Sequence, residues 1–330
     1  MLVVGPNGAG KTNLLESLHV GTQGFSPRTR SDAQLIRFGD AAARVVLGGE
    51  RTAGVPLELE VTLRTGQGKV GKLNGATLRA AEQLRAEVST LVFTPDRLAV
   101  VKAGPSVRRA YLDRALGRVS PARAELPARY AAAVGQRNAA LRRASLGLSS
   151  RDAIAPWTEQ VASLGAELVV GRTETLAALG PGFARHADAL GLPDASLGYE
   201  GEPPTRDALE ARLDRDLDRG TTGLGPHLDD VQIRSGTRDL RQFGSQGEQR
   251  LAVLSFLLAE ADAIHERSGT PPLLLLDDVL SELDPARRRT LAELVGRAGQ
   301  AVITATTTDA MPVDPDQVVD VQPGRAVVRS

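Results

Sequence analysis

The chain has 330 residues, 42% of them hydrophobic and 24% charged, which is long and apolar enough for about two folded domains. It contains no cysteine, which excludes a disulfide scaffold, a thiolate zinc site and a cysteine nucleophile. Its 40 Lys and Arg balance 40 Asp and Glu, so it is not a uniformly basic protein. Its apolar runs are too short to cross a bilayer and no secretory signal is readable, so we expect a soluble, cytoplasmic protein.

The N-terminal part begins with an apolar run over residues 1–4, which predicts a β-strand. A glycine-rich turn follows, and then leucines at helical spacing over residues 12–18. Residues 42–79 contain short apolar stretches separated by Gly-Gly, Gly-Gln-Gly and Asn-Gly turns, which predicts an antiparallel β meander. Residues 88–94 predict a buried strand that ends at Pro95.

The middle of the chain, from about residue 105 to 195, is rich in Ala, Leu and Arg with helical periodicity. It predicts three or four helices that form an insert, with breaks at Pro121, Pro127, Gly147, Gly180-Pro181 and 191–193. The pattern then returns to mixed α/β. Helices are predicted over 206–219, 248–267 and 285–299, and strands over 231–233, 272–276, 301–305 and 318–328.

A phosphate-binding loop pattern, G-x-x-x-x-G-K-[ST], occupies residues 5–12. Its glycines let backbone amides turn toward a phosphate, and the following helix directs its N-terminal dipole at the same anion. Lys11, one of only four lysines, adds a positive charge, and the Thr12 hydroxyl is suited to ligate Mg²⁺. The alternative is a glycine-rich turn without a ligand. The residues predicted to bind ATP are Gly5, Pro6, Asn7, Gly8, Ala9, Gly10, Lys11, Thr12 and Asn13.

Two acids follow four consecutive leucines, at Asp277 and Asp278. Such a leucine run suits a strand that is buried on both faces of a parallel sheet, and ligands bind at the carboxyl ends of such strands. We assign Asp277 to Mg²⁺, directly or through water, and Asp278 to orienting or deprotonating the attacking water, so that Lys11 and Asp278 are the predicted catalytic residues. The alternative is that Asp277 and Asp278 have a structural role and cap the helix that follows.

A third sequence motif lies just before the helix predicted to begin near residue 248. Ser245 and Glu248 have the spacing of a capping box, which is a purely structural role. A compatible functional interpretation is a second anion site that grips the γ-phosphate held by another subunit. The residues of this predicted site are Ser245, Gln246, Gly247, Glu248 and Gln249.

Together these residues resemble the ABC-type ATPase head of SMC-like DNA repair proteins, and most closely the bacterial RecF family. Residues 11–12 resemble Walker A, 245–249 the signature motif, 273–278 Walker B and 281–284 the D-loop. Further matches to the RecF pattern lie at 95–96, 104–105, 108–109, 111–113, 225–227 and 229–230. The resemblance implies an α/β fold: a P-loop ATPase head with a mixed sheet, an antiparallel β meander and an inserted helical lobe.

The resemblance also implies a division of the chain and a set of partners. Residues 1–102 would form the N-terminal part of the head, 103–205 the helical lobe and 206–330 the C-terminal part of the head. Members of the family bind ATP, Mg²⁺ and double-stranded and gapped DNA, form head-to-head dimers around ATP, and act with RecR and RecO to place RecA at single-strand gaps. In contrast to the family pattern, only residues 1–4 precede the phosphate loop, Leu228 follows His227 in place of arginine, and no histidine follows 301–305.

A basic segment runs from Lys102 to Arg151, where eleven cations face only Asp113 and Glu125, a net charge of +9. It predicts contacts with the DNA backbone, and the alternative is a set of solvated helix faces. The arginines predicted to bind DNA are Arg108, Arg109, Arg114, Arg142 and Arg143. The competing function is the ATP-hydrolysing subunit of an ABC transporter, which shares the chemistry of the head.

Overall fold

The computed structural model describes residues 1–29, 31–51 and 54–329. Its internal contacts divide the chain into two units, one made of Met1–Arg97 with Ile264–Ser330 and the other of Leu98–Ala263. The first unit is therefore built from both ends of the chain. This division differs from the predicted one, because residues 206–263 belong to the same unit as the helical insert. No helix of the described part is both long and apolar enough to span a membrane.

The strands of the described chain are, in order, β1 (Leu2–Val4), β2 (Ala42–Arg51), β3 (Val55–Arg64), β4 (Val70–Leu73), β5 (Ala76–Thr77), β6 (Thr90–Phe93), β7 (Ala195–Glu200), β8 (Asp230–Ser235), β9 (Arg238–Asp239), β10 (Leu273–Leu276), β11 (Ala301–Ala305), β12 (Val318–Gln322) and β13 (Arg325–Val328). The α-helices are α1 (Lys11–Gln23), α2 (Ala99–Lys102), α3 (Pro105–Val119), α4 (Leu126–Ser145), α5 (Ala155–Ala189), α6 (Arg206–Glu210), α7 (Leu213–Arg219), α8 (Leu240–Phe243), α9 (Gln246–Ser268) and α10 (Pro285–Arg297). Short 3₁₀ helices cover Asp32–Leu35, Ala81–Ala86, Pro95–Leu98, Pro121–Arg123, Arg151–Ile154 and Thr308–Ala310.

The main sheet of the first unit has the strand order β13-β12-β1-β11-β10-β6. Its strands are parallel except for β13, which pairs antiparallel with β12. The central strands are apolar because both of their faces are covered, as the full burial of Leu274–Leu276 shows. β11 lies between β1 and β10, so the phosphate-loop strand and the strand of the acidic pair are separated by one strand.

The predicted meander is confirmed as the antiparallel sheet β2-β3-β4-β5 in the same unit. Alternate residues of β3 point into a core, where Leu57, Leu59, Val61 and Leu63 pack with Val20 of α1. The residues between them face away from this core, as the period of two in a half-buried strand requires. Because α1 contributes to this core and to that of the main sheet, the helix after the phosphate loop is held by both sheets.

The second unit contains α3, α4 and α5, which confirms the predicted helical content, and the antiparallel sheet β7-β8-β9. β7 was not predicted. The predicted break at Gly180-Pro181 is wrong, because α5 continues through Pro181 to Ala189. Leu179 and Phe183 on either side of the proline are fully buried. Burial of such side chains contributes about 1.5–3 kcal/mol each, enough to offset the roughly 3 kcal/mol that proline costs inside a helix.

Candidate nucleotide-binding site and basic surface

The loop between β1 and α1 has the backbone conformation of an anion cradle. Gly8 and Gly10 have φ angles of 79° and 104°, a left-handed region that favours glycine. A Cβ atom at Gly5 would lie 2.4 Å from the Val321 carbonyl oxygen, so only glycine fits there. Within the described chain, no side chain caps α1 and no acid lies in its first turn. The helix therefore presents its N-terminal amides and positive dipole without a counter-charge of its own.

Lys11 reaches back across this loop. Its Nζ donates to the carbonyl oxygens of Gly5, at 2.7 Å, and Pro6, at 3.1 Å. Pro6, Asn7 and Gly8 are exposed, so the outer face of the loop is accessible. The ammonium thus lies against the segment where the sequence predicts phosphate oxygens, and these oxygens would replace two carbonyl acceptors that the loop itself supplies.

The phosphate loop and the acidic pair, which lie at opposite ends of the sequence, meet in the first unit. Thr12 Oγ1 lies 2.9 Å from Asp277 Oδ2 and 3.1 Å from Oδ1, and its hydroxyl donates to this carboxylate. Asp277 is buried, whereas Asp278 is exposed and accepts a hydrogen bond from the Ser281 hydroxyl at 3.1 Å. The two carboxylates therefore have different environments, one beside the loop and one at the surface.

Sequence reasoning missed Thr304, a fully buried residue of β11. Its hydroxyl donates to Asp277 Oδ1 at 2.7 Å and accepts the Asp278 backbone N–H at 2.9 Å. The residues that follow β11, where the family pattern has a histidine, are threonines, and Thr306 and Thr307 are exposed. The signal that was available is a single hydroxyl residue within the otherwise apolar strand A-V-I-T-A, next to the strand of the acidic pair.

The oxygen atoms at this site suit Mg²⁺. Among residues 1–29, 31–51 and 54–329, no group of three or more His, Asp or Glu could hold a metal by itself. Thr12 and Asp277 nevertheless bring a hydroxyl and a carboxylate oxygen within 2.9 Å of each other. Mg²⁺ is commonly held by one or two protein oxygens, with substrate phosphates and water completing its shell. The oxygens of Thr12 and Asp277 therefore fit Mg²⁺ that binds together with a nucleotide.

The predicted signature residues lie at the start of α9 in the second unit and form a capping box. The Ser245 N–H donates to Glu248 Oε2 at 2.8 Å, and the Glu248 N–H donates to Ser245 Oγ at 3.2 Å. The hydrogen bond from the Ser245 backbone, together with one from Arg238, holds the pKa of Glu248 below its ordinary value. Glu248 is thus ionised, and Arg238 at 2.9 Å compensates its charge.

The signature residues divide into an exposed and a buried part. Ser245, Gln246 and Gly247 are exposed, so they are accessible to a ligand. Gln249 is buried, and its amide nitrogen donates to the carbonyl oxygens of Leu240, at 2.9 Å, and Gly244, at 3.1 Å. Gln249 therefore holds the segment before α9 in place, and only the first three residues are placed to meet an anion.

In the folded structure, acids from outside the basic segment neutralise part of its positive charge. Several of its cations pair with acids from later in the chain: Arg108 with Asp230, Arg118 with Glu260, Arg123 with Glu174, Arg137 with Asp216, and Arg151 with Asp214. The net charge of +9 was counted with only the two acids that lie within the segment, Asp113 and Glu125. The surface that remains for a polyanion is therefore more restricted than the sequence predicted.

Arg108 does not fit the prediction of a DNA contact. It is buried, and its guanidinium donates to both carboxylate oxygens of Asp230, at 2.8 and 2.7 Å, and to the carbonyl oxygen of Ala103 at 2.7 Å. Arg109 is half-buried and donates to the Asp229 carbonyl oxygen at 2.5 Å. Of the five predicted DNA residues, those that the structure exposes are Arg114, Arg142 and Arg143.

The loop at residues 225–230 contains a histidine whose ring is held at both nitrogens. His227 Nε2 lies 3.0 Å from the Thr222 carbonyl oxygen, which only accepts, so Nε2 carries the proton. Nδ1 then accepts from the Tyr130 hydroxyl at 2.8 Å. Burial lowers the pKa of His227 below its ordinary value of 6.5, so the neutral ring is favoured in the folded protein.

We expect the protein to lose stability as the pH falls below 6.5, because unfolded His227 then takes up a proton that the folded protein binds less readily. This stability is fully present above pH 6.5 and is lost progressively below it. Urea unfolding of the wild type and of His227→Gln at pH 7.5 and 5.5 checks this. The wild type should lose more stability than the variant between the two pH values, and equal losses would contradict the assignment.

Comparison with known proteins is consistent with this geometry. The RecF/RecN/SMC N-terminal domain family matches residues 1–329. The chain is 37% identical over 336 residues to the DNA replication and repair protein RecF of Heliobacterium modesticaldum, covering 96% of this chain and 88% of that protein. It is 34% identical over 330 residues to that of Bacillus subtilis, covering 94% and 88%.

Solved structures agree with the sequence comparison. The structure of the recombination mediator protein RecF with ATP, from the RecFOR pathway, superposes with a TM-score of 0.87 at 27% identity and covers 100% of this chain and 91% of that one. The Smc head domain of Pyrococcus furiosus superposes with a TM-score of 0.58 at 18% identity, covers 100% and 89%, and supports the fold alone. The chain therefore belongs to the RecF family of DNA replication and repair proteins, with the SMC-like ATPase head that its phosphate loop and acidic pair indicated.

Proposed function

We propose that the first unit binds ATP with Mg²⁺ and hydrolyses it, and that ATP controls binding to DNA. The observation that carries this proposal is the contact between Thr12 and Asp277, at 2.9 Å, because it joins a phosphate loop to the carboxylate that such a loop requires. The related RecF structure with bound ATP supports the choice of nucleotide.

Each group of the site has a distinct part in this proposal. The loop amides of Gly5–Gly10 and the α1 dipole hold the phosphates, and Lys11 shifts from its two loop carbonyls onto the β- and γ-phosphates. Thr12 and Asp277 would hold Mg²⁺, which neutralises phosphate charge when bound. Asp278, exposed beside them, orients the attacking water or accepts its proton.

We further propose that hydrolysis requires a second copy of the chain. Ser245, Gln246 and Gly247 are exposed at the N-terminus of a helix of 23 residues, where backbone amides and the helix dipole favour an anion. The anion would be the γ-phosphate held by the partner copy, so that ATP closes a head-to-head dimer and slow hydrolysis opens it. Glu248 takes no direct part, since its carboxylate is occupied by Ser245 and Arg238.

The proposed nucleic acid is duplex DNA next to single-strand gaps, bound mainly through its phosphates. Arg114, Arg142 and Arg143 are exposed on the second unit and supply the positive charge. The related structure is described as a recombination mediator of the RecFOR pathway. We therefore propose RecR and RecO as protein partners, acting together to load the recombinase RecA.

A titration of duplex, single-stranded and gapped DNA, with and without ATP, tests this function. We expect tighter binding with ATP and an affinity for duplex that falls steeply with salt. Because each lost phosphate contact lowers the log–log salt slope by about 0.9, the double variant Arg114→Gln/Arg143→Gln should lower it by roughly 2. Arg151→Gln is the matched control, since that exposed arginine already pairs with Asp214 at 2.9 Å. A flat salt response, or equal affinity without ATP, would contradict the proposal.

The alternative of a transporter ATPase subunit is not favoured. It shares the phosphate loop and the acidic pair, but the family match over residues 1–329 and the similarity to RecF proteins point to DNA repair. The titration distinguishes the two functions, because a transporter subunit has no reason to bind gapped DNA in an ATP-dependent manner.

A further inference from the structure

We infer that Thr304 is a positioning residue of the proposed ATPase site, where its hydroxyl orients the Asp277 carboxylate and the Asp278 backbone together. This inference rests on the proposed hydrolysis of ATP and adds a residue that the phosphate loop, signature and acidic-pair motifs do not include. In this proposal Thr304 acts on the site through its hydrogen bonds to Asp277 and Asp278 and does not contact the nucleotide.

The sheet topology places Thr304 between the two halves of the site. β11 lies between β1, which leads into the phosphate loop, and β10, which leads into the acidic pair. In the parallel register, Thr304 is opposite Val3 of β1, and its neighbour Ile303 is opposite Leu276 of β10. A side chain at this point, near the carboxyl ends of three adjacent parallel strands, can act on both halves at once.

The hydrogen bonds of the Thr304 hydroxyl are specific. A hydroxyl has one proton to donate, and this proton goes to Asp277 Oδ1 at 2.7 Å. Thr12 Oγ1 contacts the same carboxylate and is nearer to its other oxygen, 2.9 Å from Oδ2 and 3.1 Å from Oδ1. Two hydroxyls from different elements therefore fix the two oxygens of one buried carboxylate and set the plane of its group.

The same hydroxyl holds the backbone of the next residue. Thr304 Oγ1 accepts the Asp278 N–H at 2.9 Å, and Asp278 has a φ of 48°, in the left-handed region that residues other than glycine seldom adopt. This turn separates the two acids, so that Asp277 is buried and Asp278 is exposed. Strained backbone of this kind persists when surrounding contacts determine it, and Thr304 supplies one such contact.

A positioning role and a purely structural role differ in their consequences. If the hydroxyl only satisfied buried polar groups, its removal would lower stability and leave the properties of the folded site unchanged. If it orients Asp277, its removal should weaken Mg²⁺-dependent nucleotide binding, because partners that orient metal ligands affect metal affinity by about 10- to 100-fold. If it also orients Asp278, kcat should fall while the Mg²⁺-free affinity for ATP stays the same.

The test compares Thr304→Val, which keeps the shape and removes the hydroxyl, with Thr304→Ser, which keeps the hydroxyl. The readouts are the Mg²⁺ concentration for half-maximal binding of a fluorescent ATP analogue, its affinity in EDTA, kcat, and the Tm of the protein without nucleotide. We expect Thr304→Val to need about tenfold more Mg²⁺ and to lose at least about tenfold in kcat, with unchanged affinity in EDTA. Thr304→Ser should be close to wild type, as should Thr77→Val, a control at an exposed threonine of β5.

The inference is overturned if folded Thr304→Val keeps the Mg²⁺ dependence and kcat of the wild type, whatever its Tm. Thr304→Ala provides a second removal of the hydroxyl that places no methyl group in the position of Oγ1, and it should show the same Mg²⁺ shift. A shift that Thr304→Ser shares in full would also overturn the inference, since the hydroxyl is then not the cause. Wild-type protein that hydrolyses no ATP under any condition would instead refute the proposed function.

Discussion

Replacement of Asp278 by Asn is expected to lower kcat for ATP hydrolysis by about 100- to 10,000-fold, the usual contribution of general acid–base catalysis, and to leave ATP binding intact. The amide keeps the shape of the side chain and its hydrogen bond partner Ser281, but it can no longer accept a proton from water. Because Asp277 and Thr12 are unchanged, the groups proposed to hold Mg²⁺ remain. A trapped, ATP-bound dimer should accumulate as a result.

Phosphate release, binding of a fluorescent ATP analogue and light scattering measure these three properties on the same samples. Asp309→Asn is the matched control, because Asp309 is an exposed aspartate in the segment that follows β11. It should hydrolyse ATP like the wild type. If Asp278→Asn kept most of its kcat, the water would be activated elsewhere and the assignment of Asp278 would be wrong.

Ser245→Arg is expected to abolish the ATP-dependent dimer and hydrolysis, while each monomer still binds ATP. A long cationic side chain would fill the exposed surface before α9 where the γ-phosphate of the partner copy is proposed to lie. The first unit, which contains the phosphate loop, is not altered. Light scattering with and without ATP measures the dimer, and titration with a fluorescent analogue measures binding by the monomer.

Two controls separate the loss of the site from the loss of a helix cap. Ser245→Ala removes the hydroxyl that accepts the Glu248 N–H, which costs about 1 kcal/mol of stability, but it leaves the surface open. Ser106→Arg places the same side chain at an exposed position in the first turn of α3. Both should dimerise better than Ser245→Arg. Wild-type dimerisation by Ser245→Arg would show that the signature segment does not complete the ATP site.

The parts of the site that could be predicted from sequence are those set by local spacing. The phosphate loop needs glycines and a lysine at fixed intervals, and the acidic pair needs a buried strand before it, so both can be recognised without knowledge of the fold. Thr12 and Asp277 were both predicted to hold Mg²⁺ and were therefore expected to lie close together, as they do in the structure. Thr304 could not be recognised in this way, because its importance depends on β11 lying between β1 and β10.

The same limit explains the errors in the second unit. Whether Arg108 is a surface cation or a buried ion-pair partner depends on Asp230, which lies more than one hundred residues away in sequence and against it in space. Pro181 looked like a helix end because the local pattern contains no information on the burial of Leu179 and Phe183. Local propensity was correct for the main helices, α3, α4 and α5, and failed where tertiary packing outweighed it.

The exposed acids of the second unit pair with arginines and so lower the positive charge of its surface, which would reduce its general attraction for nucleic acid. Glu174 and Asp214 are 59% and 83% exposed, and each neutralises an arginine at the surface, Arg123 and Arg151 respectively. A change at either acid adds a positive charge to the surface at little cost in stability. The buried pair of Arg137 and Asp216 allows no such adjustment, since removal of one partner costs about 3–5 kcal/mol. If the protein binds DNA as proposed, its affinity can therefore change through substitution of exposed acids as readily as through new arginines.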